Sequence, residues 1–244
     1  MFGPSSFPSV PLPGVSVSDV TRAEALRTTL LRRKHGIRTL IFTPNTEMAY
    51  RASADPAFAA VLKEADLSLP DGQGLVLSAR FLGVPVPEKI PGIDFGEALL
   101  RVAAKHRLSV AFYGGKQGIA EEAAERLAIK YPGLTVCGTY DGYHPLPEDP
   151  HADLLFVCLG SPRQEYWAAE HAEELDCSVI ACLGGALDVW SGEKSRAPLL
   201  MRQSGLEWLY RLMKEPSRFP RMLSIPKYLL RVAEEKAGNA FSQR

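Results

Sequence analysis

The sequence predicts an α/β fold, a Rossmann-like parallel sheet with helices on both faces, followed by a C-terminal helical appendage. Short apolar runs alternate with amphipathic segments of helical length, most regularly between residues 108 and 192. Such alternation is typical of a parallel sheet that is covered on both sides. After residue 198 the pattern changes, because basic and aromatic residues mix in segments that contain three prolines.

The individual elements follow from these patterns along the chain. Short apolar runs predict strands at 37–45, 66–70, 108–115, 134–143, 153–162 and 177–192, the last opening into a loop. Apolar periodicity, polar caps and basic ends predict helices at 18–36, 46–65, 72–83, 93–106, 118–133 and 163–175. The pair Asp55-Pro56 predicts a break in the second helix, and three prolines predict a loop at 85–92.

Three regions divide the chain. Residues 1–14 are rich in Pro and Ser and predict a flexible N-terminal tail. Residues 15–197 hold the predicted α/β domain, which we expect to carry the chemistry. Residues 198–244 form the predicted appendage, whose helices we expect to be broken by Pro216, Pro220 and Pro226.

The charge of the chain is unevenly distributed. Lys and Arg balance Asp and Glu at 28 each, but residues 201–244 contain nine basic residues and four Glu. The resulting +5 on the tail and −5 on the remainder indicate an anionic partner for the tail, such as a membrane surface. We expect no nucleic-acid partner.

The N-terminus and the cysteines indicate a cytoplasmic chain. The first residues lack the charge and apolar run of a signal peptide, and no segment reaches the roughly 18–20 apolar residues of a membrane span. The four cysteines form no Cys-x-x-Cys pair, so we expect free thiols in a reducing compartment.

Polar residues and glycines follow the predicted strands at their carboxyl ends, where open parallel sheets bind ligands. The candidates are Thr43, Asn45, Asp71, Tyr113, Gly114, Gly115, Tyr140, Asp141, Tyr143, Gly160, Ser161, Arg163, Gln164, Gly184, Gly185, Asp188 and Arg196. Glycine turns and helix N-termini of this kind suit the phosphates of a nucleotide.

Each candidate also has a structural explanation. Asp71 stands where an N-cap of the following helix would stand, and Asp is a preferred cap. The segment "YGGKQG" is neither a P-loop nor a complete G-x-G-x-x-G, so a simple turn explains it equally well. Tyr140 and Tyr143 could be packing aromatics, and Arg163 and Gln164 could be solvated at a helix start.

The sequence lacks the motifs that usually accompany several kinds of enzyme chemistry. There is no Asp-x-Asp pair for a nucleotide-bound divalent metal, and the histidines show no metal-ligand spacing. Neither a G-x-S-x-G elbow nor a His-Glu-x-x-His helix is present. We therefore expect no metal site and no cofactor.

The appendage places basic and aromatic residues together. Arg211, Arg218 and Arg221 would share one face if helical turns continued. A solvated basic face is the usual meaning of such a set, and packing onto the body is another. Because aromatic and long apolar residues such as Trp208 and Met213 lie among them, an anionic membrane surface also fits.

Taken in order, seven segments resemble the WecG/TagA/CpsF family of bacterial glycosyltransferases. They are "TPNTEM", "ADLSLPDGQGLVLSARFLG", "GIDF", "FYGGKQG", "LGSPRQEYW", "GGALDVWSGEKSRAP" and "GLEWLYRLMKEPSRFPRML". The resemblance runs from about residue 15 to about residue 232. It implies transfer of a sugar, often N-acetylmannosamine or its uronic acid, from a UDP donor to a polyprenyl-diphosphate-linked N-acetylglucosamine. It also implies inversion at the anomeric carbon without a metal.

The resemblance also implies a cellular setting. Products of the family enter wall teichoic acid, common antigen, capsule or exopolysaccharide. The appendage, residues 201–244 here, would dock on the inner face of the cell membrane and complete the active site. A homo-oligomer could form through the apolar helices around residues 72–106.

Roles carry over to this chain motif by motif. The resemblance implies that Asp71 is the general base and that Arg211, Arg218 and Arg221 steady the diphosphate. It implies substrate contacts for Thr43, Asn45, Gln164 and Asp188, and we add Tyr113, Gly114, Gly115 and Tyr140 from the strand-end pattern. Lys89 stands where the family usually has Arg, which keeps the charge but loses bidentate phosphate geometry.

Asp71 at the start of a helix is expected to have a lowered pKa and to act both as cap and as base. Two other functions stay open from the sequence. A nucleotide-sugar epimerase or dehydrogenase would use the same kind of sheet, but a complete G-x-G-x-x-G is missing. A non-catalytic membrane adaptor would need only the basic tail.

Overall fold

The computed structural model describes residues 7–84, 86–146 and 150–242, including their side chains apart from Arg218 and residues 239–242. The strands are β1 (Ser9–Leu12), β2 (Val15–Ser18), β3 (Thr39–Phe42), β4 (Leu67–Ser68), β5 (Ser109–Gly114), β6 (Thr135–Tyr140), β7 (Ala152–Cys158) and β8 (Cys177–Cys182). The first helices are α1 (Arg22–Lys34), α2 (Thr46–Ala54), α3 (Pro56–Lys63), α4 (Gln73–Leu82), α5 (Gly92–His106), α6 (Ile119–Lys130), α7 (Arg163–His171) and α8 (Ala186–Trp190). The C-terminal helices are α9 (Leu199–Gln203), α10 (Glu207–Lys214), α11 (Phe219–Met222) and α12 (Ser224–Ser242), with a 3-10 turn at Pro216–Arg218.

Strands β3 to β8 form one parallel sheet in the order β4-β3-β8-β7-β5-β6, which confirms the predicted fold class. Side chains alternate between its two faces. Phe112 and Phe156 pack with α1, α5, α6 and α8 on one face, whereas Tyr113 and Val157 pack with α2, α3, α4, α7 and α12 on the other. Both faces are buried, which is why these strands are apolar throughout.

Local sequence explains where the first helices begin. The Thr21 hydroxyl accepts a hydrogen bond from the Glu24 backbone N–H, and the Glu24 carboxylate accepts one from the Thr21 backbone N–H. This capping box satisfies two backbone donors at the start of α1. The predicted break at Asp55-Pro56 is confirmed, because the Asp55 side chain caps α3 and Pro56 is its first residue.

The N-terminal segment differs from the expectation of a flexible tail over residues 1–14. Ser9–Leu12 pairs with Val15–Ser18 in an antiparallel hairpin. Val10 and Leu12 alternate with exposed residues and are buried against the second face of the sheet. The Pro and Ser content concealed this two-residue periodicity. Residues 1–6 lie outside the described part of the chain.

The C-terminal segment is fastened to the body at its far end. Tyr228 and Val232 of α12 are buried in the same apolar cluster as α2 and α4. Pro226 does not break the helix as expected, because it lies in the first turn of α12, where a missing backbone donor costs nothing. None of the described helices combines the length and apolar content needed to cross a bilayer.

A further difference concerns the chain after β8. The sequence predicted a strand opening into a loop over 177–192, but Ala186–Trp190 forms the short helix α8. Its residues Leu187 and Trp190 pack against the first face of the sheet. This helix positions the loop that follows it, which borders the candidate site.

Candidate functional site

A cleft of about 490 Å³ lies at the carboxyl edge of the sheet. It opens beside β3 and β8, which are neighbours in the sheet. After β3 the chain turns to α2 on one face, and after β8 it turns to α8 on the other. Because the two connections diverge, they leave a crevice between them, which is where open parallel sheets bind ligands.

Residues of the body and the C-terminal segment line the cleft together. Thr43, Asn45, Asp71, Gln164 and Asp188 come from the body, and Arg211 and Arg221 come from the C-terminal segment. The structure therefore brings these seven predicted residues together, and five other strand-end candidates also line the cleft: Gly160, Ser161, Gly184, Gly185 and Arg196. Lining side chains that the sequence did not single out include Glu47, Arg51, Lys194, Glu207 and Tyr210.

Thr43 and Asn45 shape the loop after β3. The buried Thr43 hydroxyl donates to the Cys182 carbonyl at a distance of 3.0 Å and so joins the ends of β3 and β8. The Asn45 side chain caps α2, because its Oδ1 accepts from the backbone N–H groups of Glu47 and Met48. These hydrogen bonds hold the loop in place at the mouth of the crevice.

Asp71 follows β4 and is partly buried in the cleft. The expectation that it caps α4 is wrong, because Gly72 is the N-cap and no side chain accepts from the first turn. Instead Asp71 Oδ2 accepts from the Gly92 backbone N–H, at 3.2 Å, at the start of α5. The carboxylate therefore caps a neighbouring helix from across the cleft, which the sequence alone cannot reveal.

Two glycines let the turn after β4 pack closely against the start of α2. Gly72 has a φ of +106°, a conformation that side chains disfavour. A Cβ on Gly74 would lie 2.3 Å from the Thr46 hydroxyl oxygen, so α4 and α2 begin in direct contact. Asp71 is thereby held beside the loop that contains Thr43 and Asn45.

The pKa of Asp71 is raised to about 6, which corrects the expectation that a helix start would lower it. Burial is the largest cause, because it disfavours the charged carboxylate. The charges of Arg211 and Lys89 and the hydrogen bond from Gly92 act in the opposite direction, while Glu207 adds to the increase. Burial exceeds these contributions, because the pKa rises in spite of them.

Gln164 holds the opposite wall of the cleft. Its buried Oε1 accepts from the Gly184 backbone N–H at 2.9 Å, and its Nε2 donates to Glu165 Oε1 at 2.6 Å. Glu165 is fully buried, and burial raises the pKa of its carboxyl group. Gln164 is therefore not solvated at a helix start, because it fastens α7 to the turn after β8.

Most of the charged side chains that line the cleft form ion pairs. Lys194 Nζ lies 2.9 Å from Asp188 Oδ2 and 3.1 Å from Glu215 Oε1, and so links the body to the C-terminal segment. Arg211 lies 2.7 Å from Glu207 within α10. Three further contacts make the same kind of pair: Arg196–Asp94 at 2.6 Å, Arg221–Glu47 at 3.7 Å and Arg51–Asp55 at 3.9 Å.

Other predicted site residues lie outside the lining of the cleft. Tyr113 is 1% exposed, packs edge-on against Trp167 and donates its hydroxyl to the His144 carbonyl. Tyr140 is partly buried against the same apolar cluster, as the packing alternative expects. Gly114 lets β5 pass close to β7, since a Cβ there would lie 2.3 Å from the Cys158 carbonyl oxygen.

The three remaining residues of the predicted site are Gly115, Lys89 and Arg218. Gly115 has a φ of +75° and turns the chain toward α6, away from the cleft lining. Lys89 donates to the Arg202 carbonyl at 3.2 Å, so it contacts the C-terminal segment and acts on Asp71 only through its charge. The side chain of Arg218 lies outside the described part of the structure, so its predicted role remains a prediction.

The sequence offered weak signals for the residues it missed. Arg51 stands four positions after Glu47 on α2 and hence on the same helix face, which the structure turns toward the cleft. Lys194 follows α8, whose existence the sequence did not predict. In the described ranges, no group of three or more His, Cys, Asp or Glu side chains is arranged to hold a metal ion.

A parallel α/β sheet with a partly buried carboxylate and paired cations in a cleft at its carboxyl edge has the arrangement of a ligand site in an open α/β fold. The chain belongs to the glycosyl transferase WecG/TagA/CpsF family, whose family model matches residues 10–241. The match covers the sheet, the cleft and most of the C-terminal segment, as the resemblance implied.

Curated relatives agree with the family assignment. The chain is 36% identical over 222 residues to the N-acetylglucosaminyldiphosphoundecaprenol N-acetyl-beta-D-mannosaminyltransferase of Bacillus spizizenii, covering 88% of this chain and 86% of the relative. A protein of the same name from Bacillus subtilis is 36% identical over 207 residues, covering 82% and 81%. Another from Staphylococcus aureus is 28% identical over 236 residues, covering 89% and 92%.

Proposed function

We propose that the protein is an inverting glycosyltransferase that moves a sugar from a UDP donor to a polyprenyl-diphosphate-linked N-acetylglucosamine. The sugar is N-acetylmannosamine or a related hexose or uronic acid. The names of the relatives, which specify an N-acetylmannosaminyl group and an N-acetylglucosaminyl diphosphoundecaprenol, support this choice of sugar and acceptor.

The observation that carries the proposal is the carboxylate of Asp71 in a cleft shared by the body and α10. Its pKa of about 6 lies near the working pH of a cytoplasmic enzyme. A base with such a pKa is still largely ionised at pH 7.5, yet it accepts a proton more readily than an ordinary aspartate. Asp71 is therefore better suited to general-base catalysis than the sequence indicated.

The proposed reaction proceeds in one displacement. The acceptor hydroxyl oxygen forms a bond to the anomeric carbon while Asp71 takes the hydroxyl proton. The bond between the anomeric carbon and the donor's phosphate oxygen breaks, and its electron pair leaves with UDP. Attack from the side opposite to the leaving group inverts the anomeric centre.

Negative charge that develops on the leaving diphosphate needs a counter-charge. We propose that Arg211 and Arg221 supply it, with Arg218 as a further candidate, and that no metal is required. Arg211 and Arg221 line the cleft, and so do their carboxylate partners Glu207 and Glu47. Thr43, Asn45, Gln164 and Asp188 are proposed to contact the sugars from the body.

The segment 199–223 is proposed to dock on an anionic membrane surface at the inner face of the cell membrane. It exposes several large apolar side chains, namely Leu199, Leu200, Leu206, Trp208, Met213, Phe219 and Leu223. Basic residues of the same segment, including Arg211 and Arg221, are more than half exposed. Apolar insertion combined with attraction to anionic lipids is the usual basis of such docking.

We further propose that the product enters a cell-surface polysaccharide such as teichoic acid, capsule, common antigen or exopolysaccharide. A homo-oligomer through the helices around residues 72–106 is compatible with the exposed Leu77 and Phe81 of α4. Docking and pairing would use different parts of the surface.

UDP release tests the proposal. The native chain is incubated with a lipid-diphosphate N-acetylglucosamine acceptor and a panel of UDP-sugars, and is compared with Asp71→Asn. We expect one donor to support transfer and the substitution to lower kcat by about 10²–10⁴-fold, the usual contribution of a general base. Asp176→Asn is the matched control, since Asp176 is 72% exposed and pairs with His151 away from the cleft.

The pH profile separates a base from a binding group. Below a pH of about 6 the native rate should fall as Asp71 becomes protonated, and this limb should be absent from the residual rate of Asp71→Asn. Transfer that survives the substitution unchanged would remove Asp71 from the chemistry. Absence of transfer with every donor would contradict the proposed function itself.

Docking has its own test. Vesicles containing phosphatidylglycerol should bind the native chain, and Leu200→Ser with Met213→Ser should weaken binding by about tenfold or more, because each exposed side chain contributes on the order of 1 kcal/mol when buried. Ile129→Ser is the control, since Ile129 is 81% exposed on α6. Equal losses in both variants would contradict a docking role for 199–223.

A further inference from the structure

Arg196 occupies a distinctive place in the cleft. It follows α8 and lines the cleft from the body, and its side chain is 19% exposed. By comparison, the side chains of Arg211 and Arg221 on the C-terminal segment are 52% and 59% exposed. A cation that is less exposed to water acts on a bound anion through a lower effective dielectric.

The guanidinium group of Arg196 has unused hydrogen-bonding capacity. One of its terminal nitrogens, Nη1, lies 2.6 Å from Asp94 Oδ1. Its Nε is buried and has no hydrogen-bond partner among the described residues. A guanidinium carries five N–H donors in a planar fork, and a buried donor without a partner is costly. A ligand oxygen that reached Nε after a shift of the side chain would remove that cost.

The first turn of α5 connects Arg196 to Asp71. The Gly92 backbone N–H donates to Asp71 Oδ2, and Asp94, two residues later, pairs with Arg196. Glu207 of α10 acts electrostatically on both Asp71 and Arg196, so the two groups share one neighbourhood. A rigid helix turn thus fixes the spacing between the carboxylate and the guanidinium.

We propose that Arg196 is a diphosphate-binding residue of the cleft and that Asp94 holds its guanidinium in position. The inference rests on the proposed function and adds a residue of the body to the cations of the C-terminal segment. A planar fork that binds two phosphate oxygens suits Arg better than Lys. The diphosphate belongs either to the UDP donor or to the lipid-linked acceptor.

The role of Arg196 in the reaction follows from its position. As the bond between the anomeric carbon and the donor's phosphate oxygen breaks, the electron pair moves onto the diphosphate. Arg196 donates hydrogen bonds to those oxygens and stays protonated throughout, so Asp71 keeps the only proton transferred. Because Asp94 at the start of α5 holds Arg196, a residue of the body positions the guanidinium.

Binding of UDP and of inorganic pyrophosphate, measured by titration calorimetry, tests the inference on the full-length chain. Arg196→Gln should weaken binding by about tenfold or more, and Arg196→Lys should recover only part of the loss. Arg33→Gln is the matched control, since Arg33 pairs with Asp153 at similar exposure, 28% and 26%, away from the cleft. It should leave both affinities unchanged.

A second variant separates ligand binding from structural support. If Arg196 merely neutralises Asp94, then adding Asp94→Asn to Arg196→Gln should restore the affinity, because no unpaired carboxylate remains. If Arg196 binds the diphosphate, the double variant should stay as weak as Arg196→Gln, and Asp94→Asn alone should cost clearly less because the guanidinium remains. Thermal unfolding of all variants checks that each one is folded.

Measuring the KM for the lipid acceptor as well as the UDP affinity identifies the source of the diphosphate. Loss of UDP affinity assigns Arg196 to the donor, whereas unchanged UDP affinity with at least a tenfold higher KM for the lipid acceptor assigns it to the acceptor. Unchanged values in both arms, or failure of the native chain to bind either UDP or pyrophosphate, would overturn the inference. If binding depends on Arg196 but no sugar is transferred, the proposed function fails and the inference stands.

Discussion

Replacement of Asp71 by Asn should stabilise the protein at neutral pH while it removes activity. The pKa of this carboxyl group is about 6 in the folded protein, against an ordinary value of 3.8. A difference of about two corresponds to roughly 3 kcal/mol at 1.36 kcal/mol for each pKa unit. Asn keeps an oxygen that accepts from Gly92 but carries no charge, so this cost of burying the carboxylate disappears.

The sign of the pH dependence follows from proton binding. Between pH 3.8 and about 6 the folded state binds more protons at Asp71 than the unfolded state, so stability falls as the pH rises through this window. The advantage of Asp71→Asn should therefore be small below pH 4, grow up to about pH 6 and stay constant above it. At pH 8 we expect a Tm increase on the order of 5–10 °C for a chain of this size.

Urea unfolding and thermal unfolding at several pH values measure this effect. Asp153→Asn should have the opposite effect on stability. Burial opposes the shift, but hydrogen bonds from Arg33 and Ser109 lower the pKa of Asp153, so its substitution should destabilise the protein at neutral pH. A lower Tm for Asp71→Asn at pH 8, or a gain that does not change with pH, would refute the account of a carboxylate raised by burial.

Three other substitutions test the structural account. Thr43→Val should lower the free energy of unfolding by about 1–3 kcal/mol in urea, because the buried Cys182 carbonyl loses its donor; no loss would mean that β3 and β8 do not depend on this bond. Tyr228→Phe should be neutral or stabilising by about 1 kcal/mol, since the buried hydroxyl has no partner among the described residues; destabilisation would reveal a hidden partner. Lys194→Gln should speed limited proteolysis within 199–223 by about fivefold, as expected for loss of a partly exposed ion pair; an unchanged rate would exclude Lys194 as a fastening point.

Much of the fold could be predicted because its signals are local. Apolar runs that are buried on both faces, polar N-caps and the break at Asp55-Pro56 depend on neighbours in sequence. The hairpin at residues 9–18 could not be predicted so easily, because its strands are four residues long and lie among prolines. Helix α8 was not predicted, because its five residues span too few turns to show an apolar periodicity.

The sequence predicted which residues belong to the site, but not how their side chains are arranged. The strand-end rule brought Thr43, Asn45 and Asp71 to one edge, and the structure places all three in one cleft. The rule also selected Tyr113, which points into the apolar cluster, because the sequence does not say which connection bounds a crevice. That Asp71 caps α5 rather than α4 depends on a contact between residues 21 positions apart.

The burial of Tyr228 and Val232 limits what a truncated chain can reveal. Because α12 covers apolar side chains of α2 and α4, removing residues 201–244 would expose part of the core and also remove the docking segment. Loss of activity in such a truncation would therefore confuse misfolding with failure to reach a membrane. The stretch between the body and α12 is a strap anchored at both ends, so its part in the reaction is best tested by substitutions within 199–223, with α12 left intact.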